Sequence, residues 1–374
     1  MSTGLLEKLK DIPFQKIKDS PTVKYYTNWK IFESLLDIEY TEEYQLDNPY
    51  VEFKPSIVLK VDDVDVESDI AEVEIVKDGY KSISKIYARD LNQLNKMEAY
   101  HILRNRYILK LIFLKDFESY TVLSPAPAGY LPNHLNLYIG DNVKGTLNIV
   151  DLGHREGLKT FFVEVSVGRN ADISLNYLFL HNRSTATYTE YSIDVDRGSK
   201  VSFNILGFGG LMTHLRSNMD LKGRESIGYT YGSLIAREDT MTDVITNVTH
   251  HGDYSESILS VRGGILDKGY LVHRGAARIL NVSHEASTAV KSYLTIFGDK
   301  GTAHSIPMLE VDTGIVAGAS HSTSVSRLDE YRLFYLRKMG LSDEEIIDML
   351  LRAYVEYSGV AEIFNVDWRS ILKD

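Results

Sequence analysis

Glycine returns through the middle of this sequence at a nearly fixed interval. Gly140, Gly168, Gly198, Gly223 and Gly252 are separated by 28, 30, 25 and 29 residues, and each lies between two segments of alternating β-forming residues. LYIGDNVKGTLNIV, from Leu137, and VSVGRNADISLNYL, from Val165, show the unit, and Gly298 in IFGDKGTAHSIPML closes the series. A period of that length without helical segments between repeats predicts a β solenoid, each repeat stacking on the one before it. Glycine is expected because the chain turns sharply at every corner, often with positive φ. The expected fold is mainly β: a parallel β-helix core over 106–322, an N-terminal α/β region over 1–105 and a C-terminal helical domain over 323–374. A β sandwich is the runner-up, because it too gives evenly spaced strands.

The flanks read differently. Leu5–Leu9 and Trp29–Leu36 have the spacing of short amphipathic helices, and Leu91–Leu103 that of a longer one with Leu94, Met97 and His101 on one face. Residues 57–76 alternate apolar and acidic, as strands with one wet face do. After the β body the period changes. Leu328, Tyr331, Tyr335 and Met339 predict a helix with one buried face, started by Ser326 and Asp329 as a capping box and stopped by Gly340. Ser342 with Glu345 starts a second helix, with Leu341 and Ile346 as its staple; it buries Ile346, Ile347, Leu350, Tyr354 and Val355 and ends near Gly359. The two, over Arg327–Met339 and Asp343–Tyr357, form an αα-hairpin. The flanking regions are candidate caps for the exposed ends of a solenoid.

Several function classes are excluded or disfavoured at this level. The chain contains no cysteine, which removes disulfides, thiol catalysis and any zinc or iron–sulfur site built from its own thiolates. A net charge of −11 argues against nucleic acid as the main partner. No apolar run reaches membrane-span length, and no signal-peptide core is present in the first residues, so a cytoplasmic location is expected. There is no phosphate-binding G-x-x-x-x-G-K-[ST] and no H-E-x-x-H or G-x-S-x-G. Gly207–Gly210 reads as a loop, and the acids from Asp62 to Asp69 read as a solvated strand face. His250, His251, His273, His284, His304 and His321 cluster in the last third of the β body. Stacking of coils makes His251, His273 and His304 candidates for a metal site, though satisfied or exposed imidazoles are the plainer reading.

The run A-S-H-S-T-S-V-S-R-L-D-E-Y-R-L-F-Y-L-R-K-M-G-L-S, from Ala319, resembles the signature of the SufB/SufD family, scaffold proteins of iron–sulfur cluster assembly. SufD-type members follow roughly S-H-G-A-T-V-G-R-L-D-E-E-Q-L-F-Y-L-R-S-R-G. Ser320, His321, Arg327, Leu328, Asp329, Glu330, Phe334 and Tyr335 are among the matching positions. The Pro307 strand, P-M-L-E-V, is similar to the family's P-x-L-E-I, and the segment from Pro13 to Trp29 is faintly similar to its N-terminal pattern.

The resemblance implies a right-handed parallel β-helix and a non-enzymatic scaffold of the SUF machinery. It implies pairing with a SufB-like subunit, or with a second copy of itself, through the solenoid edge and last coils. It also implies a helical tail that recruits a SufC-like ABC ATPase, for which Arg327, Asp329, Phe334, Tyr335, Met349 and Tyr354 are the candidate contacts. His321 matches the family's interface histidine, a possible ligand for a cluster shared with the partner; no cofactor is expected in the isolated chain. Ser292 stands where SufB-type chains carry a cysteine, and Ser322 where they follow the histidine with glutamate, which points to the SufD side. A carbohydrate-active β-helix enzyme is the alternative; the repeats show no acid recurring at one register, as it would need. A purely structural solenoid is the third possibility.

Overall fold

The computed structural model describes residues 9, 11–16, 26–328 and 330–373. Four short strands come first: β1 (Tyr44–Gln45), β2 (Ile57–Leu59), β3 (Val64–Val66) and β4 (Glu72–Val76). They are followed by β5 (Ile108–Phe113), β6 (Phe117–Ser124) and β7 (Ala126–Pro127). Long strands then come in pairs: β8 (Gly129–Ile139) and β9 (Lys144–Gly153), β10 (Gly157–Val167) and β11 (Asp172–His181), β12 (Thr185–Val195) and β13 (Lys200–Phe208). The series continues with β14 (Met212–Leu221) and β15 (Ile227–Ala236), β16 (Met241–His250) and β17 (Glu256–Ile265), β18 (Tyr270–Ile279) and β19 (Ala286–Ile296). It ends with β20 (Thr302–Val311) and β21 (Val316–Arg327). From β8 the even-numbered strands stack in parallel as a first sheet and the odd-numbered strands as a second. The expected solenoid is the observed fold, with about 8 turns.

Alternation along each strand sends one row of side chains into the space between the sheets. On the first sheet Leu137, Val165, Ile193, Met219 and Val248 lie in register and are all buried. On the second, Leu147, Leu175, Phe203, Thr230, Leu259 and Val290 form the matching ladder. Each large apolar side chain so enclosed stabilises the fold by about 1.5–3 kcal/mol.

The five recurrent glycines do share one corner, but for a different reason from the expected one. Only Gly198 has positive φ; the left-handed residues elsewhere in this corner are Asn142, Asn170, Glu225 and Tyr254. The glycines are needed where one corner rests on the next. A Cβ on Gly252 would lie 2.0 Å from the carbonyl oxygen of Gly223, and one on Gly223 2.0 Å from the Arg197 nitrogen. Gly298 does not close this series: it lies in the opposite corner, between β19 and β20. The sixth corner, 280–285, has no glycine and makes its left-handed turn at Glu285.

Both sheets carry a second layer outside. Helices α1 (Trp29–Ser34), α2 (Lys85–Ala88) and α3 (Lys96–Arg104) pack Phe32, Ile86, Met97 and Tyr100 against Tyr130, Leu158, Phe162 and Tyr188 of the first sheet. The helix expected over Leu91–Leu103 is broken: α3 begins at Lys96, where Asn95 and Glu98 form a reciprocal capping box. In the tail, α4 (Glu330–Lys338) is followed by α5 (Asp343–Val355), α6 (Val360–Ile363) and α7 (Trp368–Lys373). Leu351, Val355, Phe364 and Trp368 cover Leu178, Leu206, Phe208 and Ile235 of the second sheet. The tail is therefore a side layer, not an end cap. The last strand runs on to Arg327, so the helical segment starts later than 323, and the Ser326–Asp329 cap falls partly outside the described residues. The Ser342–Glu345 box and the left-handed Gly340 are as expected.

Candidate functional site

The C-terminal end of the solenoid is open. Among the described residues β20 pairs only with β18 and β21 only with β19, so each sheet ends on a strand with one free edge. The interior rows continue into these strands and are not covered. Val325 is in register with buried Leu294 yet is 46% exposed, and Ile315, just before the start of β21, is 51% exposed.

His321 belongs to this surface. It pairs with Val290 and so extends the interior ladder that runs from Leu147, making it the last, exposed member of a buried row. Two residues on, the Thr323 hydroxyl donates across the mouth to Ser305 Oγ, joining β21 to β20. One coil deeper the same rows are closed. The His273 ring bridges Ser292 Oγ at Nδ1 and Thr246 Oγ1 at Nε2, both at 3.0 Å. Burial lowers the pKa of His273 to about 4, so this imidazole is neutral at neutral pH. Ser292 is thus enclosed beneath Thr323, within one coil of the mouth.

The other histidines do not converge. His251 sits on a corner with Asp220 at 3.2 Å, and His304 lies between Tyr26 and Tyr270 outside the first sheet. His273 faces inward, and the partner of His304 in the ladder is Val272. The candidate His251–His273–His304 grouping is not formed: among the described residues no three His, Cys, Asp or Glu side chains are placed to hold a metal ion. His250 is an interior residue bridging Ser255 and Ser257, and His284 pairs with Asp253.

The tail residues divide. α4 does not bury the stripe its period predicted: Tyr331 is 69% exposed, Met339 78%, and Phe334 and Tyr335 are also exposed, while Leu333 and Leu336 are partly covered. Met349 is exposed on α5. Tyr354 is not free for a partner; its hydroxyl bonds Thr295 Oγ1 at 2.6 Å and its ring meets Phe297, fixing α5 to the solenoid. Arg327 lies at the end of β21, where its guanidinium donates to the Asp299 carbonyl. Asp329 is outside the described residues.

One charged cluster was missed. Lys159 is wholly buried between the sheets, donating to Asp151 and to the carbonyls of Ser124, Pro125 and Leu152, while Tyr177 donates to Asp151 at 2.8 Å. The signal was there: each is a lone charge inside an apolar strand, in N-I-V-D-L and G-L-K-T-F-F.

Residues 129–354, from β8 to the end of α5, match the family described as SUF system FeS cluster assembly, SufBD core domain. The chain belongs to the SufBD family. It is 25% identical over 156 residues to an iron–sulfur cluster assembly SufBD family protein of Synechocystis, covering 42% of this chain and 32% of that protein. It is 22% identical over 228 residues to the iron–sulfur cluster assembly protein SufD of Bacillus subtilis, covering 60% of this chain and 50% of the other. A SufBD family protein of Galdieria sulphuraria is 25% identical over 169 residues, 44% of this chain and 75% of that one. The chain thus spans half or less of the length of the first two relatives. Among the described residues no helix is long and apolar enough to cross a membrane.

Proposed function

We propose that this SufBD chain is a SufD-like scaffold subunit working in the cytoplasm, paired through its open solenoid end with a cysteine-bearing, SufB-like chain. The observation that carries this reading is the uncovered interior row ending in His321. Such a surface, with an open strand edge and exposed apolar residues, is a site for another chain to continue. β21 is suited to strand addition, because VAGASHSTSVS carries no charge and no proline before Arg327, whereas β20 is interrupted by Pro307.

In the paired form His321 lies between two chains, where a neutral imidazole is a competent iron ligand. The chain has no thiolate to add, and Ser292 is engaged by His273, so sulfur ligands come from the partner. The exposed aromatic face of α4, with Tyr331, Phe334 and Tyr335, is the docking surface for a SufC-like ABC ATPase. ATP-driven movement of that subunit then reaches the open end through Arg327, where β21 meets the tail. The role is that of a scaffold and not of a catalyst.

Co-purification with a cysteine-bearing paralogue and an ABC ATPase tests this directly. A stable complex that loses only the ATPase in a Phe334→Ala, Tyr335→Ala variant is expected. A chain that stays monomeric in the presence of the paralogue refutes the reading.

A further inference from the structure

A cavity of about 590 Å³ lies between the N-terminal layer and the outer face of the first sheet, its floor reaching from β12 to the edge strand β20. That volume is in the usual range for small-molecule sites, about 300–1,000 Å³. Its floor is one outward-facing row, in which Glu190, Arg216, Ile245, Arg274 and Ile306 follow one another in register on successive strands. Its wall on the N-terminal side holds Trp29, stacked on Phe14 with ring centres 5.4 Å apart, and Arg89 from the segment after α2.

The cations of this cavity are not equivalent. Arg274 is held by Asp243, which also accepts from the Thr27 hydroxyl. Arg89 spans two carboxylates, donating to Glu98 at 3.2 Å and to Glu190 at 3.4 Å. Arg216 has no such partner. Its Nε is shielded from bulk water and makes no hydrogen bond, and among the described residues no carboxylate lies within ion-pair distance of it. A shielded guanidinium donor without an acceptor is costly and rare in a folded chain. The nearby acids do not remove the deficit. Burial, and then the charge of Glu190, raise the pKa of Glu98 to about 7; Glu190 and Glu98 attract the Arg216 guanidinium, but neither hydrogen-bonds its Nε, and Oε2 of Glu190 is likewise without a hydrogen bond. Ile245, Ala276, Ile306 and Met308 supply the apolar part of the floor, beside His214 and Asn247.

We propose that this cavity binds a small organic oxyanion, its carboxylate or phosphate head on the Arg216 guanidinium and its apolar body against Trp29, Ile245 and Ile306. The site does not rest on the scaffold reading: although its floor reaches β20, it uses the outer face of the first sheet, whereas His321 ends an interior row of the second.

Isothermal titration of the full chain with phenyl phosphate and with phenylacetate tests it, with benzylamine and inorganic phosphate as controls. Saturable binding of one aromatic anion per chain is expected, with whichever of phosphate and carboxylate binds tighter identifying the head group. Benzylamine is expected not to bind, and inorganic phosphate to bind about tenfold or more weakly, having no apolar body. Arg216→Gln is expected to weaken the anion by about tenfold or more, the loss of a charged hydrogen-bond donor. Ala276→Trp, which fills the cavity from the adjacent row while leaving every charged residue in place, is expected to abolish binding with the fold retained. No saturable binding of either aromatic anion up to about 10 mM overturns the proposal. So does binding of benzylamine at equal strength, or binding that survives Ala276→Trp. If Arg216→Gln does not fold, the comparison of anion with amine on the unaltered chain and the Ala276→Trp variant still decide.

Discussion

The two ends of this solenoid solve the same problem in opposite ways. At the N-terminal end the chain reverses direction. β4 lies antiparallel on β5, and β3 antiparallel on β2, so neither sheet presents a parallel edge to stack upon. These finishing strands have only three and five residues and carry Asp65, Glu72 and Glu74. Short, charged, reversed strands are the standard protection of a sheet edge, and the residues they cover, Ile57, Leu59, Leu109 and Leu111, are fully enclosed. At the C-terminal end β20 and β21 have ten and twelve residues, run parallel to their neighbours, and stop with the interior rows uncovered. The fold is finished at one end and left unfinished at the other. Where protection is withheld on one edge of a molecule that supplies it on the other, the bare edge is the place to expect a partner.

A single inward charge sharpens that contrast most. Val325→Lys places an ammonium in the row a partner must cover, while in the lone chain the side chain remains in water. Burying an unpaired charge costs about 3–5 kcal/mol, so affinity for the SufB-like partner is expected to fall by roughly a hundredfold or more. The melting temperature of the isolated chain should hardly move. The same change at Ile75, exposed on β4, is expected to leave pairing untouched. Sedimentation velocity of both variants with the paralogue checks this, and equal loss of pairing in the two would erase the distinction between the ends.

The interior differs along its length in the same sense. In the early coils the charged groups Lys159 and Asp151 are closed off as a pair; at the last coil Ser305, Thr323 and His321 face the opening. Asp151→Asn leaves the Lys159 ammonium buried among carbonyls without a counter-ion. A loss of about 3–5 kcal/mol in unfolding free energy is expected, read as an earlier midpoint in chemical denaturation. A loss below about 1 kcal/mol would mean that water enters these coils and that the interior is not sealed as the burial of both groups indicates.

What the sequence made legible follows from what is local. The repeat spacing, the Ser342–Glu345 box, the Gly340 stop and the lack of thiolates are each contained in one stretch of chain, and each was readable. What depended on stacking was not. The glycines of the corner serve the contact between successive coils, which only the register exposes, and the sequence alone does not show that Gly298 belongs to the opposite corner. The period of the tail suggests an end cap, because nothing in it says which surface the helices cover. The signal lay in the strands. N-Y-L-F-L, from Asn176, runs apolar without alternation, the pattern of a strand buried on both faces. For the open end, recurrence of a family pattern pointed to His321, but its place as the exposed end of a buried ladder required the coil-by-coil register.

The smallest stability effect belongs to the residue with the largest expected functional one. His321 has no covering coil above it, so His321→Ala removes few contacts from the lone chain. A change within about 0.5 kcal/mol is expected, as for other exposed positions. Pairing should also persist, because strand addition along β21 uses backbone groups that the substitution leaves intact. If the imidazole is a ligand in the assembled complex, iron content after anaerobic reconstitution should nonetheless drop sharply, since a site built between two chains has few ligands to lose. Melting temperature, oligomeric state and iron content on this one variant separate the roles. A destabilised or unpaired variant makes His321 a packing residue of the interface, and full iron content in a correctly assembled one removes it from the ligand set.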